Sequence, residues 1–308
     1  MLGKHFGMAE RAVSWSLNVG RGTSAVIGDS ALRSITSLLA KVFAGFPQWH
    51  AALSTDHGAI DRSLLSDLET AEIIYWPTCM SRMMGGTADA LLRVCDKAEV
   101  SVHIPRNATG KCCGQAFSSK GYIDVAMQKQ NELLDAIWEW SKHGERPVVL
   151  DLGSCTSFLK TGMPYLDRVR KHRLETLPII DSTELAASLI PKLTIAKKLA
   201  NVAVHSVCSN HRHGWEAALN EVAKACAEQV HAPHEGKCCG MGGDRGFEIP
   251  ALALSATADV AGKMAESKSE FGFTNARSCA VSLNSGTGRP WRSIFQLLDE
   301  CSSMKDSD

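Results

Sequence analysis

Lys111-Cys112-Cys113-Gly114-Gln115 and Lys237-Cys238-Cys239-Gly240-Met241 decide how this chain is read. Each is a vicinal cysteine pair closed by glycine. Each has one cysteine upstream, Cys79 or Cys208, and one downstream, Cys155 or Cys279. The spacing is 129 residues between Cys79 and Cys208, 126 between Cys112 and Cys238, and 124 between Cys155 and Cys279. So small a drift over three landmarks marks an internal duplication, which constrains the fold more than any local motif does.

The sequence around the cysteines repeats as well. Glu72-Ile73-Ile74-Tyr75-Trp76-Pro77-Thr78 leads into Cys79, and Asn201-Val202-Ala203-Val204-His205-Ser206-Val207 leads into Cys208. Both read as strands that end at a cysteine. A helical pattern follows each, over about 87–98 and 215–228. Short strands stopped by Pro105 and Pro233 come next, and the vicinal pairs follow them. Further helices are expected over about 121–142 and 250–267. The strands at 147–152 and 271–274 then deliver Cys155 and Cys279.

Alternating strands and helices predict an α/β protein: two repeated Rossmann-like parallel-sheet subdomains behind a helical lead-in. The expected division is a lead-in over 1–65, a first repeat over 70–175, a connecting segment over 176–200 and a second repeat over 201–301. The segment 177–195 either joins the halves or adds a strand to the first. In the lead-in, Leu32, Ile35, Leu38, Leu39, Val42 and Phe43 follow a helical period, after a run that Gly20, Gly22 and Gly28 are expected to break. The cysteines fall at strand C-terminal ends, the edge where open α/β sheets bind ligands.

Composition narrows the function. Thirty-three basic residues balance 33 acidic ones, so no single-sign field exists to attract nucleic acid or an anionic membrane. No stretch approaches the ~20 apolar residues that span a bilayer. The amino terminus has no apolar core ending in a cleavage site, so a cytoplasmic location is expected, with the inner face of the membrane as a secondary one. In that compartment eleven cysteines point to metal or redox chemistry rather than a disulfide framework. Adjacent Cα atoms lie ~3.8 Å apart, whereas disulfides span about 4.4–6.8 Å. A vicinal pair is therefore better suited to ligating a metal. Four thiolates complete either a zinc site or an iron–sulfur cluster. Ligands spread over more than seventy residues, with no Cys-x-x-Cys knuckle, favour a cluster between elements, as two sites or one shared site. The candidate ligands are Cys79, Cys112, Cys113 and Cys155, then Cys208, Cys238, Cys239 and Cys279.

With these residues in view, the chain resembles the tandem cysteine-rich CCG-domain family. That family includes a heterodisulfide reductase component, a lactate-utilisation protein, and the iron–sulfur subunits of glycolate oxidase and anaerobic glycerol-3-phosphate dehydrogenase. More narrowly it is similar to the C-terminal iron–sulfur region of FAD-linked D-lactate dehydrogenases. The narrower match rests on residues 112–121, His205-Ser206-Val207-Cys208, residues 238–247 and Gly288-Arg289-Pro290-Trp291-Arg292-Ser293-Ile294. The resemblance implies iron–sulfur clusters of the 4Fe-4S type. It also implies electron transport between a partner's flavin and a quinone or cytochrome, and an FAD-binding dehydrogenase subunit as partner. FAD is expected only on that partner, because the family's FAD domain and its upstream ferredoxin-like cysteine run do not occur in these 308 residues; the expectation is either a separately encoded subunit or a C-terminal fragment of such an oxidoreductase.

The chain departs from the family in a second way. Many CCG domains end in Cys-x-x-Cys, but here the segments are Cys155-Thr156-Ser157-Phe158 and Cys279-Ala280-Val281-Ser282. Four cysteines per repeat suit an ordinary cubane cluster, and the missing fifth counts against a heterodisulfide-reductase-like catalytic subunit. A zinc-stabilised, non-enzymatic module is the other alternative. Cys95, Cys226 and Cys301 are expected to be packed or free thiols. His205, His211, His213 and His234 flank the second set. They are either surface or loop residues, or they tune the site or replace a ligand.

Overall fold

A computed structural model describes residues 5–43, 46–53, 60–161, 166–234 and 237–305; residues 1–4, 44–45 and 54–59 of the lead-in lie outside these. The lead-in forms α1 (Phe6–Ile27) and α2 (Asp29–Val42). The first repeat follows as β1 (Ile73–Trp76), α3 (Cys79–Met84), α4 (Ala88–Lys97), β2 (Val102–His103), α5 (Gln115–Ser118), α6 (Ile123–Trp140), β3 (Val148–Leu150), α7 (Gly153–Thr161), α8 (Arg168–Thr176), β4 (Ile179–Asp181) and α9 (Ser182–Leu189). A short strand β5 (Leu193–Ile195) leads to the second repeat. That repeat is β6 (Leu199–His205), α10 (Cys208–His213), α11 (Glu216–Cys226), β7 (Ala227–His231), α12 (Arg245–Glu248), α13 (Pro250–Ala256), α14 (Val260–Glu266), β8 (Phe271–Thr274), α15 (Arg277–Thr287), β9 (Trp291–Ser293) and α16 (Ile294–Cys301). A last strand, β10 (Ser302–Met304), pairs antiparallel with β5.

The duplication is carried in the topology. One sheet has the order β2-β1-β3-β4 and the other β7-β6-β8-β9, and every pairing within both is parallel. The fold is thus α/β with two repeated parallel sheets behind a helical start. The segment 176–200, expected either to join the halves or to add a strand to the first, contributes β4 and α9 to the first repeat. Ile179 and Asp181 are buried, and the carboxylate of Asp181 starts α9 in a reciprocal cap with Glu184. Its counterpart β9–α16 has the same device, with Ser293 and Gln296.

Alternate strand residues divide the interior. Ile73 and Tyr75 of β1, with Val202 and Val204 of β6, enter one core shared by both repeats. Into it α4 packs on α16 and α11 on α9, an exchange of contacts that makes the repeats one body. Ile74 and Trp76 face a second core under the first cysteine set. Ala203 faces a third, which holds Cys239.

Several local expectations change. Helix α1 runs through Gly20 and Gly22 and stops only at Gly28, whose φ is +84°. Gly20 is accommodated by packing: a Cβ there would lie 2.4 Å from the Trp49 ring. In α2 only Leu32 of the apolar period is buried; Ile35, Leu38 and Val42 are exposed, as is Phe43 just beyond it. The helix expected over 250–267 is two helices, α13 and α14. The helix expected over 215–228 ends at Cys226, where β7 begins. Among the described residues no helix is long and apolar enough to cross a membrane.

Candidate metal centres

In both repeats the backbone places the cysteines in the same way. Cys79 and Cys208 are the first helical residues after a central strand, in α3 and α10. Cys155 and Cys279 lie in the helices that follow β3 and β8. The glycine of each vicinal pair is left-handed, with φ of +93° at Gly114 and +76° at Gly240. Its N–H turns back to the first sulfur of the pair, Gly114 to Cys112 Sγ and Gly240 to Cys238 Sγ, both at 3.4 Å. There is no room for a side chain. A Cβ on Gly114 would sit 2.4 Å from the carbonyl oxygen of Ala126, and one on Gly240 would sit 2.5 Å from that of Leu252. The CCG tripeptide is therefore a tight turn wedged against the second helix downstream, α6 or α13, and glycine meets both demands.

In the first repeat all four predicted ligands come together. Cys79, Cys112, Cys113 and Cys155 are buried, none more than 8% exposed. Cys113 Sγ lies 3.2 Å from Cys155 Sγ. Cys113 and Cys79 both interact with Cys112 and hold its thiol well below the ordinary range; the same contacts, with burial, push Cys79 and Cys113 up. Arg82 favours the charged form of Cys112. The Arg82 side chain is 11% exposed. It binds Glu10 of α1 through two bonds of 2.5 and 2.8 Å, and it donates to the carbonyls of Pro77 and Lys111. Asp151, at the end of β3, is fully buried; it accepts from the Tyr75 hydroxyl and from the Thr78 N–H at 3.0 Å, fixing the turn that precedes Cys79.

The second set is assembled differently. Cys239 Sγ lies 3.0 Å from Cys279 Sγ, and Cys238 adjoins Cys239. Cys238 and Cys208 are exposed. Among the described residues, the ligand-type atoms that lie within 4.8 Å of one another here belong to His205, Cys239 and Cys279. His205 is 2% exposed, and its Nδ1 is buried without a hydrogen-bond partner. Burial pulls its imidazole down to about 3, with His234 and His211 adding to the effect, so the ring is neutral, the form that ligates metals. His234 is also buried; its Nε2 donates to the Cys238 carbonyl at 3.0 Å, and its ring lies 5.0 Å from that of His205.

A buried polar network joins the two sets. The Thr156 hydroxyl, next to Cys155, donates to Asp181 at 2.9 Å. Asn275, four residues before Cys279, donates to Thr183 and to Asn210, both at 3.0 Å, and Asn210 donates back. The other cysteines are core residues: Cys95, Cys226 and Cys301 are fully buried in the shared core. Asp244 pairs with Lys120, and the glycines at 242–243 form an exposed turn.

Sequence reasoning overlooked Tyr75, Asp151 and the Arg82–Glu10 pair. Aligning the repeats residue by residue would have set Arg82 and Asp151 against polar counterparts; Tyr75 falls opposite Val204, and Glu10 lies outside the repeats. At the offset that relates Cys79 to Cys208, Arg82 matches His211 and Trp76 matches His205. At the offset that relates Cys155 to Cys279, Asp151 matches Asn275.

Two parallel sheets, each collecting thiols at its C-terminal edge, define a tandem thiolate metal-binding protein. The donor sets fit such a centre in their soft thiolate chemistry and burial, and the first also in its adjacent cation. The cysteine-rich CCG domain model matches residues 73–160 and 202–284, more than half of the sequence, and the chain belongs to that family. No curated protein matches it significantly. Among solved structures, a glutamate racemase isoform from Bacillus anthracis is 12% identical, with 75% of this chain and 80% of that one covered and a TM-score of 0.32. An aspartate racemase homologue from Pyrococcus horikoshii is 10% identical, with 74% and 96% covered and a TM-score of 0.29. Likenesses this slight carry no argument about function.

Proposed function

We propose that the protein is an iron–sulfur electron-transfer component of a flavin-linked 2-hydroxy-acid dehydrogenase of the D-lactate type, working between a partner's FAD and a quinone or cytochrome. The observation that carries this reading is the first cysteine set: four buried sulfurs at one sheet edge with the largely covered guanidinium of Arg82 beside them. Cys79, Cys112, Cys113 and Cys155 would hold a 4Fe-4S cluster, and the second cysteine set another. A bound cluster supplies one-electron chemistry, whose potential depends on burial, hydrogen bonds to sulfur and local charge. The chain's own residues do the rest. Gly114 and Gly240 bring backbone N–H groups to sulfur, Arg82 offsets negative charge, and Asp151 fixes the approach to Cys79.

The test is iron, acid-labile sulfide and zinc per chain in anaerobically purified protein, followed by reduction with a D-2-hydroxy acid in the presence of the candidate flavoprotein. About four or eight irons with equal sulfide, bleached on reduction, are expected. Colourless protein with zinc and no sulfide would sink the electron-transfer reading. It would favour a zinc-stabilised module, which the imidazole among the second set's sulfurs suits. The absence of a fifth cysteine in either repeat counts against disulfide reduction.

A further inference from the structure

The geometry points to a mixed ligand shell in the second repeat: Cys238, Cys239, Cys279 and His205, with Cys208 outside it. The inference rests on the metal-centre reading above but departs from four matched cysteines per repeat.

Three observations carry it. His205 has a ligand atom within 4.8 Å of those of both Cys239 and Cys279; neither Cys238 nor Cys208 belongs to that close group, and it is the side-chain contact of Cys238 with Cys239 that brings Cys238 to it. Nδ1 of His205 is a buried polar atom without a partner, and such atoms are costly unless something satisfies them. Third, the duplication supplies an internal control. The residue matching His205 in the first repeat is Trp76, which has no lone pair to offer a metal, and there the matching cysteine, Cys79, is buried with the other three. In the second repeat the strand-end residue has become a ligand type, and the helix-start cysteine is exposed. The two changes are complementary, since each set keeps four donors.

The neighbours fit this role. His234 is oriented by the Cys238 carbonyl and flanks the His205 ring, and Trp291 meets that ring edge-on at 6.5 Å between ring centroids. Such a shell takes a thiophilic centre with one nitrogen ligand. Either an iron–sulfur cluster or a zinc ion fits that chemistry, and the experiment separates them.

Pulsed EPR of reduced wild-type protein labelled with 15N-histidine, together with X-ray absorption at the iron and zinc edges, reads the shells directly without requiring a variant to fold. One centre should show a directly coordinated histidine nitrogen. If that metal is zinc, its shell should be three sulfurs and one nitrogen. Metal content of His205→Ala and Cys208→Ser then assigns the residue: the first variant should lose the second repeat's metal, and the second should retain it. Zinc in the mixed shell supports the ligand assignment while removing the second cluster from the proposed function. All-sulfur shells at both iron centres, or second-site metal that is lost in Cys208→Ser and kept in His205→Ala, would overturn the assignment and leave the electron-transfer reading standing.

Discussion

The two repeats share a backbone plan and differ in what surrounds it. The first set is sealed: four buried cysteines, a largely covered Arg82 paired with buried Glu10 that ties α1 to the site, and Asp151 beneath the β1–α3 turn. The second is open on one side. Cys208 and Cys238 are exposed, Asn275 stands where Asp151 does, and His211 stands where Arg82 does, paired at 2.7 Å with a half-exposed Glu216. What both retain is what the chain conformation demands: the left-handed glycine, the helix-start cysteine and the strand order. Duplication therefore preserved the scaffold that gathers sulfur, while the charge and exposure around it were free to change. Those are the quantities that set a cluster's potential and lability.

The most severe way to break the comparison is Cys113→Ser. It should abolish metal at the first repeat and leave the second largely intact, read as iron per chain and as the loss of one EPR signal. Unchanged iron would contradict the ligand assignment, and partial loss at both sites would mean one shared centre. Next comes metal release. Under an anaerobic chelator the exposed second set should lose its metal several-fold faster than the sealed first set. A single common rate would show that exposure does not separate them.

Arg82→Met leaves Glu10 buried without its partner, and a cost of about 3–5 kcal/mol is expected in denaturant unfolding. The matched change His211→Ala removes a pair near the surface and should cost under about 1 kcal/mol. Equal costs would refute the contrast. Between these falls Gly114→Ala, at roughly 2–4 kcal/mol from strain and overpacking. Gly243→Ala serves as its control. Its φ is +79° but nothing lies within 4 Å of a Cβ there, so only the backbone penalty of about 1–2 kcal/mol applies. A Gly114→Ala variant no weaker than Gly243→Ala would remove the wedge as the reason for the CCG glycine.

Much of this was legible in the chain itself. Three pairs of cysteines at nearly constant offset revealed the duplication, because repeated units fold alike. Apolar runs ending at cysteines, alternating with helical periods, indicated parallel sheets with the thiols at one edge. Glycine after each vicinal pair marked a backbone that a side chain would obstruct. These are local or periodic properties, and sequence carries them directly.

The remainder required long-range contacts. The sequence does not show that β4 and α9 belong to the first repeat, that α4 packs on α16, or that Glu10 travels 72 residues along the chain to meet Arg82. Gly20 reads as a helix breaker until the Trp49 ring is seen against it. Most of all, sequence presented eight equivalent cysteines and several flanking histidines. Burial separated them, bringing His205 to Cys239 and Cys279 and leaving Cys208 and Cys238 exposed. Residue type determines what can ligate, but which atoms share a dry, crowded space depends on packing between distant segments, and only the tertiary structure decides that.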